Sequence, residues 1–464
     1  MNSVFKAISF SVSVFFFSSC SSNGNEETAM ETQNPLSLKD STLQKGVSIP
    51  KINCRKDSVI NYALYLPKKY NLNENFPVIF LFDSHGSGLL PVEKYKALAE
   101  KYGYILAGSN NSKNGMNWEQ NNAQIQVFIN DVKERLNIDL KRIYACGFSG
   151  GARVASSVAI FDGGVAGVIG MGAGFPSLSE PIHNKFDYIA FAGNEDFNMN
   201  ELIMLSSSLD KTPLRHQLIV FNGKHEWAPD SIAEDAFLWC EVNAMRDGLI
   251  SKNDTLVKRF ISKNESRIAK SKDVYAQFLL CNKIFNFMSG LDSVSSFNKK
   301  AKELYNSDAM KKVLSQKEKL ANEEMSTQDV YRNNFLLKDI NWWTAEIKKL
   351  NQSKNSKDEH SQMNKRLLSF LSLLAYMNCS SDLQQKQYDL LEKHLRIYEM
   401  AEPDNPEHQV MYAMLYSAQK KDEEGMKSLT NAFRLGFDDV PRIQSDPLLN
   451  KYDWKKAKEE ASKK

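Results

Sequence analysis

The apolar positions of this chain follow one pattern before residue 250 and another after it. In the first part they gather into short uninterrupted runs at 77–83, 103–108, 142–147, 165–171, 186–192 and 216–221. Runs of this kind, bounded by Gly, Asn, Asp and Ser, predict strands buried on both faces. Between the runs, apolar residues recur at helical spacing near 91–102, 121–136, 150–161, 199–209 and 231–248. Ahead of them, 46–54 and 57–66 predict an antiparallel pair joined at Arg55-Lys56-Asp57. Strand and helix therefore alternate, which predicts an α/β fold: a doubly wound, mostly parallel sheet with helices on both faces.

From Lys252 onward Gly and Pro become scarce, strand signals vanish, and Lys, Glu, Leu, Asn and Ser recur at helical period. This predicts an all-α array over 251–464, with helices near 273–289, 327–350 and 364–377 and with Trp342 and Trp343 in its core. In Pro406 to Phe437, the residues Ala413, Tyr416, Gly425, Leu429 and Ala432 stand at spacings that resemble the tetratricopeptide repeat, a helical hairpin whose small residues let helices approach. Leu435-Gly436-Phe437 and then Ser445-Asp446-Pro447-Leu448-Leu449 resemble the ending that follows such repeats. The resemblance implies a helical-repeat domain that offers a surface to a protein partner, braces its neighbour or covers its mouth.

At the amino terminus Lys6 precedes an apolar run from Ala7 to Phe17 and then Ser18-Ser19-Cys20. The run is too short to span a membrane and predicts a secretory signal. It resembles a bacterial lipoprotein signal, with Phe17 where leucine is commonest. The resemblance implies cleavage after residue 19 and lipidation of Cys20, which would anchor the chain to a membrane of the bacterial cell envelope. The absence of Asp directly after Cys20 points to the outer membrane, and Glu26-Glu27 resemble the acidic patch of surface-exposed lipoproteins. Residues 20–44, rich in Ser, Asn, Glu and Thr, predict a flexible tether.

Chemistry concentrates at the ends of the predicted strands. Gly147-Phe148-Ser149-Gly150-Gly151 follows an apolar run and opens a helix of small residues, the pattern of a nucleophile elbow. A sharp strand-to-helix turn lifts Ser149 clear of the sheet, with glycines keeping neighbouring backbone away. This architecture then needs an upstream oxyanion loop, an acid and a histidine, in that order. Upstream, Asp83-Ser84-His85-Gly86-Ser87-Gly88 ends a buried strand, and Ser87, or Gly86, with Gly150 would supply the oxyanion amides. Downstream, Gly193-Asn194-Glu195-Asp196 ends another; Asp196 is the favoured acid, with neighbouring Glu195 open. After the last strand comes Asn222-Gly223-Lys224-His225-Glu226-Trp227, which puts His225 in the place of the base, while His183 and His216 have structural explanations. The segment 108–118, rich in amides and ending in Trp118, suits a sugar-binding rim or an ordinary Asn-rich turn. His85, Asn111, Trp118 and Trp227 are the candidate substrate contacts.

Residues 45–250 resemble the α/β-hydrolase superfamily, closest to compact secreted esterases of the polyhydroxybutyrate depolymerase, feruloyl esterase and acetyl-xylan esterase kind. The resemblance implies nucleophile Ser149, acid Asp196, base His225 and oxyanion amides at Ser87 and Gly150. The loop departs from it, with His-Gly-Ser-Gly in place of a run of glycines. A serine hydroxyl is a weak nucleophile, so His225 would remove its proton during attack and Asp196 would hold the imidazole in the required tautomer. The expected reaction is hydrolysis of a carbohydrate- or plant-derived acyl ester through an acyl-serine. A prolyl-oligopeptidase-type peptidase uses the same triad, and a scaffold that retained the elbow is the non-catalytic alternative.

Composition narrows this picture a little. The formal net charge is +3 from 59 basic and 56 acidic residues, and no basic stretch carries interleaved aromatics, which argues against a nucleic-acid partner. Beyond Cys20 the cysteines are Cys54, Cys146, Cys240, Cys281 and Cys379. Their odd count argues against a full disulfide framework, and their spacing suggests no metal; no cofactor is expected.

Overall fold

The structure, a computed structural model, describes residues 39–178, 181–352 and 358–463. The signal, Cys20 and the tether as far as residue 38 lie outside the described residues. The first region is an eight-stranded sheet of order β1-β2-β4-β3-β5-β6-β7-β8. Its strands are β1 (Ser48–Asn53), β2 (Asn61–Tyr65), β3 (Phe76–Phe82), β4 (Ile105–Ser109), β5 (Ile138–Phe148), β6 (Gly167–Met171), β7 (Asp187–Gly193) and β8 (His216–Phe221). β1 and β2 run antiparallel, β2 pairs antiparallel with β4, and every later pairing is parallel.

The inner parallel strands read as continuous apolar runs because both faces are covered, whereas β8, at the edge, is only partly buried. Along β3 the side chains of Ile79 and Leu81 enter one core and those of Val78, Phe80 and Phe82 the other. The first core lies under α1 (Leu89–Tyr102) and α5 (Asp230–Arg246), the second under α2 (Trp118–Arg135), α3 (Gly150–Ser157) and α4 (Met199–Leu209). α3 continues into a wider turn over Val158–Asp162.

The apolar core does not stop at residue 250. α7 (Val274–Met288) packs on α5, α6 (Asp254–Lys270) and α8 (Ser295–Tyr305) pack on α7, and the group shares the core of α5 through Val257, Phe260, Ile284 and Phe287. Trp239 meets Phe287 edge to face at 4.9 Å between ring centres, and Arg246 donates to the carbonyls of Asn286, Phe287 and Ser289 that α7 leaves at its end.

Beyond these lie α9 (Asp308–Asn334), α10 (Ile340–Gln352), α11 (Glu359–Gln385), α12 (Tyr388–Ala401) and α13 (Glu407–Ala418), with their own core around Trp343, Leu371 and Leu395. The predicted helix 327–350 is in fact two, because the chain turns at 335–339 to bring Phe335 and Trp343 together, ring centres 5.5 Å apart. Trp343 is fully buried, and Trp342 packs edge to face against it. α13 pairs with α14 (Asp422–Arg434), and α15 (Val440–Ser445) and α16 (Trp454–Ser462) complete a further core with Leu429, Ala432 and Tyr452. A Cβ at Gly425 would run into the Tyr452 ring, so the small residue there permits the contact.

Candidate active site

Ser149 stands between β5 and α3 with φ 55° and ψ −122°, a conformation few non-glycine residues adopt. Its neighbours allow it: a Cβ at Gly147 would collide with the Gly151 carbonyl, and one at Gly151 with the Phe82 carbonyl. The Ser149 amide donates to the Met171 carbonyl at 2.8 Å, which ties the turn to β6. The hydroxyl is thus held by backbone at the carboxyl end of the central strands, where open α/β sheets carry their ligands.

His225 arrives from the loop after β8 and Asp196 from the turn after β7. His225 Nε2 lies 2.9 Å from Ser149 Oγ, and its Nδ1 lies 2.9 Å from Asp196 Oδ1. An ionised carboxylate only accepts, so Nδ1 carries the proton and Nε2 turns its lone pair to the serine. The imidazole is packed between Phe148 and Phe197, with ring centres at 4.6 and 4.3 Å. Gly172, at φ 68°, leaves room beside it, since a Cβ there would come within 3.0 Å of the imidazole. Asp196 is buried; its Oδ1 also accepts from the Asn198 amide at 2.8 Å, and Asn198 Nδ2 donates to the Gly172 carbonyl at 2.7 Å. Glu195 points the other way, to Lys365 Nζ on α11 at 2.6 Å. The two neighbouring carboxylates therefore face different partners.

The upstream loop differs from the sequence expectation. Asp83 Oδ1 accepts from the amides of His85 at 2.9 Å and Ser87 at 3.4 Å, and the Gly86 amide donates to the Asp83 carbonyl at 3.2 Å. The amides of Ser87 and Gly86 are thus turned back onto Asp83 rather than toward Ser149. Gly150 is the first residue of α3, where an amide has no acceptor within its own helix. The carboxamide of Asn114 lies directly over Gly150, where a Cβ would overlap it, and the Asn114 amide donates to the Ser84 carbonyl at 2.8 Å.

The four expected substrate contacts separate. His85 is open to solvent, its side chain 71% exposed. Asn111 instead staples β2, accepting from the Asn61 amide at 2.8 Å and donating to the Val59 carbonyl at 3.3 Å. Trp118 begins α2 and packs on Phe161, ring centres 5.9 Å apart. Trp227 is buried beneath the site, donating to Asp83 Oδ2 at 3.2 Å and packing on Tyr95 and Phe148. Four residues with no sequence signal of their own shape the site: Gly172 and Phe197 lie against His225, Asn114 lies over Gly150, and Asp83 organises the upstream loop. Asp83 and Asn114 sat inside segments already singled out, but nothing in one dimension distinguished them.

A cavity of about 410 Å³ opens beside the acid turn, between Phe197 and Met204 on one side and Met325, Arg332, Phe370 and Leu373 on the other. Among the described residues no cluster of His, Cys, Asp and Glu is arranged to hold a metal ion, and no helix is long and apolar enough to cross a membrane.

No family model and no curated protein matches the chain. Similar solved structures include an S-formylglutathione hydrolase from Staphylococcus aureus, 13% identical, covering 42% of this chain and 95% of that one at a TM-score of 0.34. A Pyrobaculum calidifontis esterase is 13% identical and covers 46% of this chain and 88% of its own at 0.35. A ferulic acid esterase is 15% identical, with 41% and 93% covered at 0.32.

Proposed function

We propose that this chain is a serine hydrolase that cleaves a carboxylic ester. What supports the reading above all is one continuous line of contacts, Ser149 Oγ to His225 Nε2 and His225 Nδ1 to Asp196 Oδ1, each 2.9 Å. In this reading His225 takes the serine proton as Oγ attacks the ester carbonyl, and Asp196 steadies the imidazolium. The Gly150 amide, at the positive end of α3, stabilises the developing oxyanion. His225 then protonates the departing alcohol, and the acyl-serine is hydrolysed by a water that the same histidine activates.

A carbohydrate- or plant-derived acyl ester is retained as the substrate class, carried by His85 and Asn114, since Asn111, Trp118 and Trp227 are engaged within the fold. Export and lipid attachment at Cys20, and with them an outer-membrane address, rest on residues 1–44 alone. The α13–α14 hairpin is read as a tetratricopeptide-like unit with a protein partner.

The test is labelling by a fluorophosphonate probe, with the modified residue identified by mass spectrometry. Ser149 is the expected site, and labelling is expected to disappear in Ser149→Ala and to fall sharply in His225→Ala. A panel of p-nitrophenyl acetate, feruloyl esters and aminoacyl-proline substrates separates ester from peptide cleavage. An unlabelled chain that turns over none of them overturns the enzyme reading in favour of a scaffold.

A further inference from the structure

The turn that carries Asp196 sits near an edge of the sheet, because among the described residues β8 ends the strand order and pairs with β7 alone. From the sheet side the turn is tied to the loop of His225: the Asn194 amide donates to the Phe221 carbonyl at 2.8 Å, and the Glu195 amide to the Gly223 carbonyl at 2.9 Å. Its other side meets the helical region. Arg366 of α11 donates from Nη1 to the Asn194 carbonyl at 2.8 Å, Lys365 pairs with Glu195 at 2.6 Å, and Phe197 packs into the core around Trp343 and Leu371. Three positions of one short turn, at 194, 195 and 197, are thus gripped from α11 and its surroundings, and the group between them is the triad carboxylate.

Arg366 is built for this contact. Its Nε and Nη2 donate to Glu324 of α9 at 2.9 and 2.7 Å, and the two side chains are 6% and 0% exposed. A buried ion pair is weak evidence for stability, because removing two charges from water offsets most of their attraction. Burial raises the Glu324 carboxyl above its ordinary value, while Arg366 opposes this. What the pair supplies is direction: a planar guanidinium locked by Glu324 along one edge presents its remaining nitrogen to the Asn194 carbonyl with little freedom left.

Resting on the hydrolase reading above, we propose that Arg366, held by Glu324, is a positioning residue for the catalytic acid, so that the helical region forms part of the active site. Through the Asn194 carbonyl it fixes the path of the turn, and the turn fixes Asp196 against His225 Nδ1. Phe197, from the same turn, packs against the imidazole and keeps it over Ser149. Small misplacement of a proton-transfer partner lowers turnover steeply while leaving substrate binding nearly intact.

The test uses the full chain carrying Arg366→Met together with Glu324→Leu, which replaces the buried pair by apolar side chains and leaves no orphaned charge. With p-nitrophenyl acetate, kcat is expected to fall about 10- to 100-fold with KM within about threefold, at unchanged near-UV circular dichroism. Arg366→Lys, which keeps a charge opposite Glu324 but loses the planar fork, is the second variant, with kcat expected to fall about tenfold. A folded variant of either kind whose kcat stays within about twofold of the parent overturns the proposal, as does a loss confined to KM. A parent chain that takes up no fluorophosphonate at Ser149 overturns the hydrolase reading itself, which is a different result.

Discussion

The sheet region and the helical region both grip the turn that carries Asp196, and they hold it by different means. The sheet acts through backbone: the carbonyls of Phe221 and Gly223 receive the amides of 194 and 195. The helical region acts through long side chains, Arg366, Lys365 and the groups that lock them. Backbone anchorage follows from strand order and tolerates side-chain change. Side-chain anchorage depends on individual residues, and it is how a distant part of the chain gains influence over a triad carried by the sheet.

The sharpest way to break this contrast is at the two carboxylates. Asp196→Asn is expected to lower kcat by about 10⁴-fold, because the amide no longer selects the imidazole tautomer. Glu195→Gln, which removes only the charge that pairs with Lys365, should leave kcat within about threefold. Equal losses in steady-state assays would show that the turn, and not the identity of the carboxylate, carries the effect.

The backbone side is tested by Gly151→Ala. Its methyl would press on the Phe82 carbonyl, and the melting temperature should fall by the equivalent of about 3 kcal/mol. Smaller still is Asn111→Ala, which removes two hydrogen bonds from β2 and its approach, at about 1 kcal/mol each. KM is expected to stay unchanged, whereas a raised KM for sugar esters would return Asn111 to the substrate rim.

The gentlest probe is pH. Burial lowers His394 and His408 of the helical region below the ordinary 6.5, against the opposing pull of Asp382 on the first and of the Pro403 carbonyl, Glu399, Glu402 and Glu407 on the second. A histidine held neutral in the fold but protonated on unfolding contributes stability that is present above 6.5 and is lost as pH falls below it. The hydrogen-exchange protection of α11–α13, after allowance for the slower intrinsic exchange of amides at lower pH, should therefore fall on going from pH 7.5 to below 6, ahead of that of the parallel strands.

How much of this was legible in one dimension differs between the regions for the same reason. Strands 77–83 and 186–192 could be read because each is buried on both faces and is therefore apolar but for one aspartate near an end, Asp83 and Asp187. The predicted helix 327–350 broke at 335–339 because the residues that decide it, Phe335 and Trp343, answer to partners on other helices. At the site, Ser149 and His225 stood out because elbow and terminal loop are local patterns. Ser87 did not behave as a local pattern suggests, since the carboxylate of Asp83 reorganised the loop around itself.

Sequence alone thus determined the alternation of strand and helix, the strained serine and the order of acid and base, all of which depend on residue type and short spacing. Only the tertiary structure decided that Asp196 and not Glu195 faces the imidazole, that Asn111 and Trp227 belong to the scaffold, and that Arg366, far along the chain, reaches the acid turn. Those outcomes depend on which side chains converge after folding. A single buried carboxylate or guanidinium then outweighs any local preference, because burial leaves it no water to turn to.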